Sequence, residues 1–179
     1  MKLIVLDRDG VINHDSDAYI KSPDEWDPVD GSLEAIARLN HGGYTIAIAS
    51  NQSGLARGYF DIVALTAIHK KMDEMLAKIG GRIDAIFFCP HGPDDGCDCR
   101  KPKPGMLLEI GQRFNVPLNE VVFIGDSITD IKAAYNANAK AMLVRTGKGL
   151  KAEKILQTES KISVPVFDDL SSAVSAILQ

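Results

Sequence analysis

Residues 3–6 read Leu-Ile-Val-Leu, and the run ends directly in Asp7-Arg8-Asp9-Gly10. An apolar run without a period fits a strand buried on both faces, as in parallel sheets. Open α/β sheets bind ligands in the crevice at the carboxyl ends of such strands. Asp7 and Asp9 are two apart, so on a strand both would leave the same face. Two adjacent carboxylates repel unless a cation or a proton separates them. Mg²⁺ arriving with a phosphate group would supply that cation.

The same rhythm continues along the chain. Strand-like runs occupy Leu3–Leu6, Thr45–Ala49, Ala85–Cys89, Val121–Ile124, Ala141–Val144 and Val164–Phe167. Leu33, Ile36, Ala37 and Asn40 follow helical spacing up to Gly42-Gly43, and a longer stripe runs from Ile62 to Ile79 before Gly80-Gly81. Pro104 is placed to be the first residue of a helix through Phe114, and Leu170 to Ile177 marks a terminal helix. Strand–helix alternation predicts an α/β fold, a mostly parallel sheet covered on both faces. Two stretches break the rhythm: a polar flap at about 13–30 and a loop from Pro90 to Pro104. Loops of that length in compact domains are often functional.

At 179 residues, without linker or repeat, the chain reads as one domain, 1–179. A net charge of −4 without a basic stripe argues against a nucleic-acid partner. No apolar stretch approaches a membrane span, and no signal-peptide pattern opens the sequence. The three cysteines cluster between Cys89 and Cys99, which suits metal binding in a reducing compartment better than a disulfide framework. A cytoplasmic protein follows, and the lack of an extra apolar surface helix points to a monomer.

Four segments carry chemistry. On a functional reading Asp7 is a nucleophile and Asp9 an acid/base; the bland reading is a solvated loop. Ser50-Asn51-Gln52-Ser53-Gly54 offers hydroxyls, amides and backbone for phosphate oxygens, or is a polar turn. In Arg100-Lys101-Pro102-Lys103-Pro104-Gly105 the prolines stiffen a loop that aims charge. There Lys101 could neutralise a phosphoryl group and Arg100 grip a second anion. Gly125-Asp126-Ser127 follows the fourth strand, where Asp126 is placed to ligate Mg²⁺. Asp130 either supports Lys101 or a metal-bound water, or complements a helix N-terminus.

Cys89-x-His91-x₅-Cys97-x-Cys99 supplies three thiolates and one imidazole, the ligand set of a closed, structural Zn²⁺ site. The zinc loop, 89–100, would deliver Arg100 and Lys101 immediately after Cys99. His14, His41 and His69 are single and dispersed, and read as surface or helix positions. Trp26 reads as packing, and Gly147-Lys148-Gly149 as a turn.

Carboxylate pair, hydroxyl–amide loop, lysine and acidic pair, in this order, resemble the haloacid dehalogenase superfamily of phosphohydrolases from Leu3 to about Thr146. The resemblance implies a Rossmann-like three-layer sandwich with the first strand central and a minimal cap. It implies Mg²⁺ held by the Asp7 carboxylate, the Asp9 carbonyl oxygen and Asp126, with Ser50 and Lys101 on the transferring phosphoryl group. The zinc loop and residues 51–58 and 100–106 are similar to the subgroup of sugar-bisphosphate phosphatases acting on D-glycero-D-manno-heptose 1,7-bisphosphate. That subgroup implies removal of the 7-phosphate through an aspartyl-phosphate, in heptose and lipopolysaccharide precursor synthesis. Substrate contacts would come from Asp15, Tyr19, Ser50, Asn51, Gln52, Ser53, Arg57, Arg100 and Lys101. Two alternatives stay open: a histidinol-phosphate phosphatase, which Asp15 and Asp17 would suit, and a zinc-stabilised binding protein without catalysis.

Overall fold

The apolar run at the N-terminus is strand β1, Lys2–Leu6, in a computed structural model that describes residues 1–159 and 162–179. It pairs in parallel with β2 (Tyr44–Asn51) on one side and β4 (Val122–Gly125) on the other. With β3 (Ala85–Cys89), β5 (Lys140–Val144) and β6 (Val166–Phe167), the sheet order is β3-β2-β1-β4-β5-β6, and every pairing is parallel.

The burial of β1 follows its parity. Ile4 and Leu6 join Ile46, Ile48 and Ile124 against helices α1 (Ser32–His41), α2 (Ile62–Ala77) and α6 (Leu170–Ile177). Leu3 and Val5 join Ala47, Ala49 and Phe123 against α3 (Gly105–Phe114) and α4 (Ile128–Asn136). Covering both faces explains why the strand carries no polar alternation. A third cluster, Ile131, Leu143 and Ala152, seats helix α5 (Gly149–Glu159) beside α4. The three-layer architecture is the expected one, with β1 inside the sheet.

Local chemistry sets the boundaries. Asp61 caps α2 by accepting from Ala64 N at 2.8 Å, and Asp169 caps α6 by accepting from Ser172 N at 2.7 Å. Pro104 is the cap of α3 rather than its first turn, one residue from the expected start. The run 164–167 shortens to the two residues of β6, an edge strand, because Pro165 has no N–H to give a ladder. Trp26 is 1% exposed, with the Lys71 ammonium 5.8 Å from its ring centroid and 2.8 Å from its carbonyl oxygen, so the 13–30 segment is anchored to the core. Helix α5 was not among the predicted helices. No helix among the described residues is long and apolar enough to cross a membrane.

Candidate active site

The carboxyl ends of β1, β2 and β4 open into one cavity of about 500 Å³. Each strand end contributes a polar residue immediately after its apolar run: Asp7, Ser50 and Asp126, all buried. The loops between strands and helices bring the rest.

Asp7 and Asp9 both reach this cavity, though by a different route from the expected strand parity. Strand β1 ends at Leu6, and the chain turns through Gly10 at φ 88°. The two carboxylates therefore acquire separate partners. Asp7 Oδ1 lies 3.0 Å from Lys101 Nζ and accepts from Arg8 N at 2.8 Å. Asp9 accepts from Arg8 Nε at 2.9 Å, from Asn13 Nδ2 at 2.9 Å and from Gln52 Nε2 at 3.0 Å. The cations that separate the pair are thus supplied by the chain: Lys101 for Asp7 and Arg8 for Asp9.

Lys101 is 3% exposed and is fixed on three sides. Its ammonium is 2.6 Å from Asp130 Oδ1, donates to Ala49 O at 2.8 Å and sits 5.4 Å from the Phe123 ring centroid. Asn51 holds its backbone from both directions, donating to Lys101 O at 3.0 Å and accepting from Lys101 N at 3.0 Å. Asn51 lines the cavity, yet its amide is already committed to Lys101. Gln52 likewise bridges Asp9 and Ser50, donating to Ser50 Oγ at 2.7 Å. These two amides, expected as substrate contacts, hold the residues around them.

Both readings of Asp130 coexist. Ser127 is the cap of α4, and Ser127 and Asp130 form a reciprocal capping box. The same carboxylate reaches Lys101 through its other oxygen. Asp126 accepts from Lys148 N at 2.8 Å and is pressed by two glycines. A β-carbon on Gly10 would stand 2.0 Å from Asp126 Oδ2, and one on Gly147 2.1 Å from it, so only glycine permits this approach.

The electrostatics show an unbalanced site. Burial, then the charge of Asp130, push Asp7 well above the usual carboxylate range, with Lys101 pulling the other way. Burial and Asp130 also raise Asp126, to about 7. Burial opposes ionisation of Asp9, but Arg8, Asn13 and Gln52 outweigh it and hold its carboxyl below the usual range. Lys101 moves upward: burial disfavours its charge, and Asp130 and Asp7 more than compensate. Four carboxylates, Asp7, Asp9, Asp126 and Asp130, face two buried cations, Arg8 and Lys101. The surplus of two negative charges matches one divalent cation, and Asp7, Asp126 and Asp130 present carboxylate oxygens within 4.8 Å of one another. Hard oxygen donors of this kind suit Mg²⁺.

The other expected residues are placed as follows. Asp15, Tyr19, Ser53 and Arg100 line the cavity, whereas Arg57 is exposed and absent from its wall. Asp15 is paired with Lys148 at 3.0 Å, and Tyr19 packs against Tyr59 with centroids 5.1 Å apart and ring planes tilted by 49°. Lys148, just before α5, and Lys151, on it, also line the cavity; Gly147-Lys148-Gly149 was expected as a turn because of its flanking glycines, and Lys151 was missed. His69 is likewise not a simple helix position, because its Nε2 lies 3.3 Å from Arg8 Nη1.

Cys89, His91, Cys97 and Cys99 converge at the end of β3. The Sγ atoms of Cys89 and Cys97 are 3.6 Å apart, and His91 Nδ1 is 3.5 Å from Cys89 Sγ and 3.4 Å from Cys99 Sγ. Tetrahedral zinc with bonds of roughly 2.0–2.3 Å requires ligand atoms under about 4 Å apart. The set therefore fits zinc. Cys89 is the buried member; its burial pushes the thiol up to about 12, a proton that a bound metal displaces. Register ties this loop to the cavity, because Asn51 of β2 lies opposite Cys89 of β3 and Arg100 Nη1 donates to His91 O at 3.3 Å.

Comparison with known proteins agrees with this geometry. A family model described as HAD-hydrolase-like matches residues 98–173. A D-glycero-β-D-manno-heptose-1,7-bisphosphate 7-phosphatase of Pseudomonas aeruginosa is 52% identical over 177 residues, covering 99% of this chain and 98% of its own. The enzyme of the same name from Bordetella bronchiseptica is 53% identical over 179 residues, covering 100% and 99%. A crystal structure of the D,D-heptose 1,7-bisphosphate phosphatase from B. bronchiseptica, complexed with magnesium and phosphate, superposes with a TM-score of 0.95 at 52% identity, covering 100% and 99% of the two chains.

Proposed function

The chain belongs to the haloacid dehalogenase-like hydrolase family, and within that family we propose that it is a Mg²⁺-dependent phosphatase removing the 7-phosphate of D-glycero-β-D-manno-heptose 1,7-bisphosphate, in heptose and lipopolysaccharide precursor synthesis. The observation that carries this reading is Lys101, a buried ammonium shared by Asp7 and Asp130 at the floor of the cavity, with Arg100 beside it on the wall. Two adjacent cations, one deep and one nearer the mouth, suit a substrate with two phosphates.

An oxygen of Asp7 attacks phosphorus, and the bond from phosphorus to the sugar oxygen breaks. Asp9, held ionised at rest, takes a proton from the entering phosphate monoanion, whose like charge raises its proton affinity, and gives that proton to the leaving oxygen. Water then attacks the aspartyl-phosphate, Asp9 takes the water proton and passes it to the departing inorganic phosphate, and Asp7 and Asp9 are both restored as carboxylates. Lys101 and Ser50 hold the phosphoryl oxygens throughout. The Asp7 and Asp126 carboxylates and the Asp9 carbonyl oxygen would hold Mg²⁺, which supplies charge neutralisation for the approaching phosphate.

The zinc loop, 89–100, acts as a structural arm that fixes Arg100 and Lys101, and the 13–30 segment as a flap over the sugar. The chain works as one domain, a monomer in the cytoplasm. A cationic amine such as that of histidinol phosphate would want unpaired acidic groups; Asp15 is already paired with Lys148, which leaves Asp17 on the cavity wall as the group that alternative would use.

Steady-state assay with both anomers of the heptose bisphosphate and with histidinol phosphate tests the assignment. The β-anomer should show the highest kcat/KM, with histidinol phosphate lower by on the order of 100-fold or more. Asp7→Asn should abolish turnover in a folded protein. A preference for histidinol phosphate, or full activity in Asp7→Asn, overturns the reading.

A further inference from the structure

We infer that His69 is a positioning residue for the phosphatase reaction: through the buried guanidinium of Arg8 it holds the carboxylate of Asp9 in place. The inference rests on the acid/base reading of Asp9.

Asp9 stands beyond the end of β1, on a turn whose next residue has positive φ. The sheet ladder therefore does not fix its side chain, and the orientation must come from side-chain contacts. Arg8 provides most of them. Its Nε donates to Asp9 Oδ1 at 2.9 Å, and its Nη2 donates to Oδ1 at 2.7 Å and to Oδ2 at 3.0 Å. Such a two-pronged grip by a planar guanidinium fixes both the distance and the plane of a carboxylate.

That grip needs its own anchor. Arg8 has no exposed surface, so solvent does not supply partners for the donors that point away from Asp9. A buried cationic N–H without an acceptor is strongly unfavourable. Nη1 meets His69 Nε2 at 3.3 Å. A guanidinium has donors only, so Nε2 must be the acceptor and the ring proton must reside on Nδ1. Burial and the Arg8 charge lower the pKa of His69 to about 4, Asp9 opposing, which leaves the imidazole neutral and able to accept.

His69 in turn is carried by α2, a sixteen-residue helix capped by Asp61 and locked into the core by its neighbours Ile68 and Met72. The line of support runs from the core of one helical layer, through His69 and Arg8, to the carboxylate. Gln52, just past β2, and Asn13 of the flap complete the enclosure. Neither Arg8 nor His69 lines the cavity, whereas Asp9 does, so His69 acts through Asp9 and not on the reacting atoms.

The test uses the full chain with saturating Mg²⁺ and the heptose bisphosphate. His69→Leu removes the acceptor, and His69→Gln restores one through its side-chain carbonyl. His69→Leu should lower kcat by roughly 10- to 100-fold, within the range that acid–base catalysis contributes, with KM changed by less than about threefold. His69→Gln should recover kcat to within about fivefold of the parent. Equal activity in parent, His69→Leu and His69→Gln overturns the inference, as does an equal loss in both folded variants. Nitrogen NMR of the unsubstituted protein gives an independent result should His69→Leu not fold. The His69 ring should be the Nδ1–H tautomer, and an Nε2–H tautomer overturns the inference. Asp9→Asn separates the two levels. If it retains full activity, the acid/base reading itself fails; if it is inactive while His69→Leu is fully active, only the role of His69 fails.

Discussion

Arg100 and Lys101 are neighbours in sequence with opposite fates. Lys101 is sealed between Asp7, Asp130 and the Ala49 carbonyl, while Arg100 stays on the cavity wall with one donor on His91 O. The division predicts selective damage. Arg100→Ala should lower kcat/KM for the bisphosphate by on the order of 10- to 100-fold, the worth of a charge-assisted contact. For a sugar monophosphate the change should stay under about threefold, in parallel steady-state assays. Equal losses on both substrates would mean that Arg100 serves the phosphate removed. At this scale the sequence showed the residues whose type announces chemistry: the four aspartates, Ser50, Lys101 and the zinc set. It concealed the residues whose role depends on a partner far along the chain. Arg8 was assigned no role, and nothing in the spacing links it to His69, 61 positions away. Asn51 and Gln52, expected as substrate contacts, line the cavity, and their amides also hold Lys101, Asp9 and Ser50, which nothing in the spacing announces.

The strands and most helices were readable because their apolar residues are decided by burial on two faces. Helix α5 was not, because from 149 to 158 only Gly149 and Ala152 are buried and its remaining apolar residues are sparse among charges. The error mattered, since the approach to α5 brings Lys148 to Asp126 and Asp15. The convergence of Cys89, His91, Cys97 and Cys99 was readable for the opposite reason, these residue types being too unusual together for a solvated loop. The loop leads directly into α3, with Gly105 N donating to Asp98 O at 3.2 Å and Lys103 Nζ donating to Cys97 O at 2.5 Å. Removing the metal should therefore disturb the arm that ends in Lys101. Purified protein should contain one zinc per chain by elemental analysis. Cys97→Ser, or treatment with a zinc chelator followed by excess Mg²⁺, should lower the thermal midpoint and reduce kcat/KM by at least about tenfold. Folded, active protein free of zinc would remove the arm from the mechanism.

Across the whole molecule, the excess of negative charge at the cavity couples stability to pH. The Asp126 carboxyl, raised to about 7 from an ordinary value of 3.8, binds its proton more tightly in the folded state than in the unfolded state. Stability from this group is therefore present below pH 4 and is lost as pH rises from about 4 to about 7. Asp7 is shifted in the same direction. Asp9 is shifted the other way, and stabilises above the ordinary carboxylate range. Without added Mg²⁺, calorimetric midpoints should fall between pH 5 and pH 7.5, by an amount reflecting on the order of a few kcal/mol. Asp126→Asn should flatten that fall, and excess Mg²⁺ should do the same for the unsubstituted protein. A profile without Mg²⁺ identical for both proteins would show that Asp126 ionises without strain.

The packing around Asp126 also has a consequence for the order in which the protein is made. Gly10 lies near the beginning of the chain and Gly147 some four-fifths of the way along, and both press on the same carboxylate. Thr146 Oγ1 closes the contact by donating to Gly10 O at 2.6 Å. A nascent chain that has left the ribosome only through Asp130 already carries all four aspartates and Lys101. It lacks the wall against which Asp126 is seated. The cavity is therefore completed by its last loop, and premature termination before residue 146 yields a chain with all four aspartates and Lys101 but no finished place to put them.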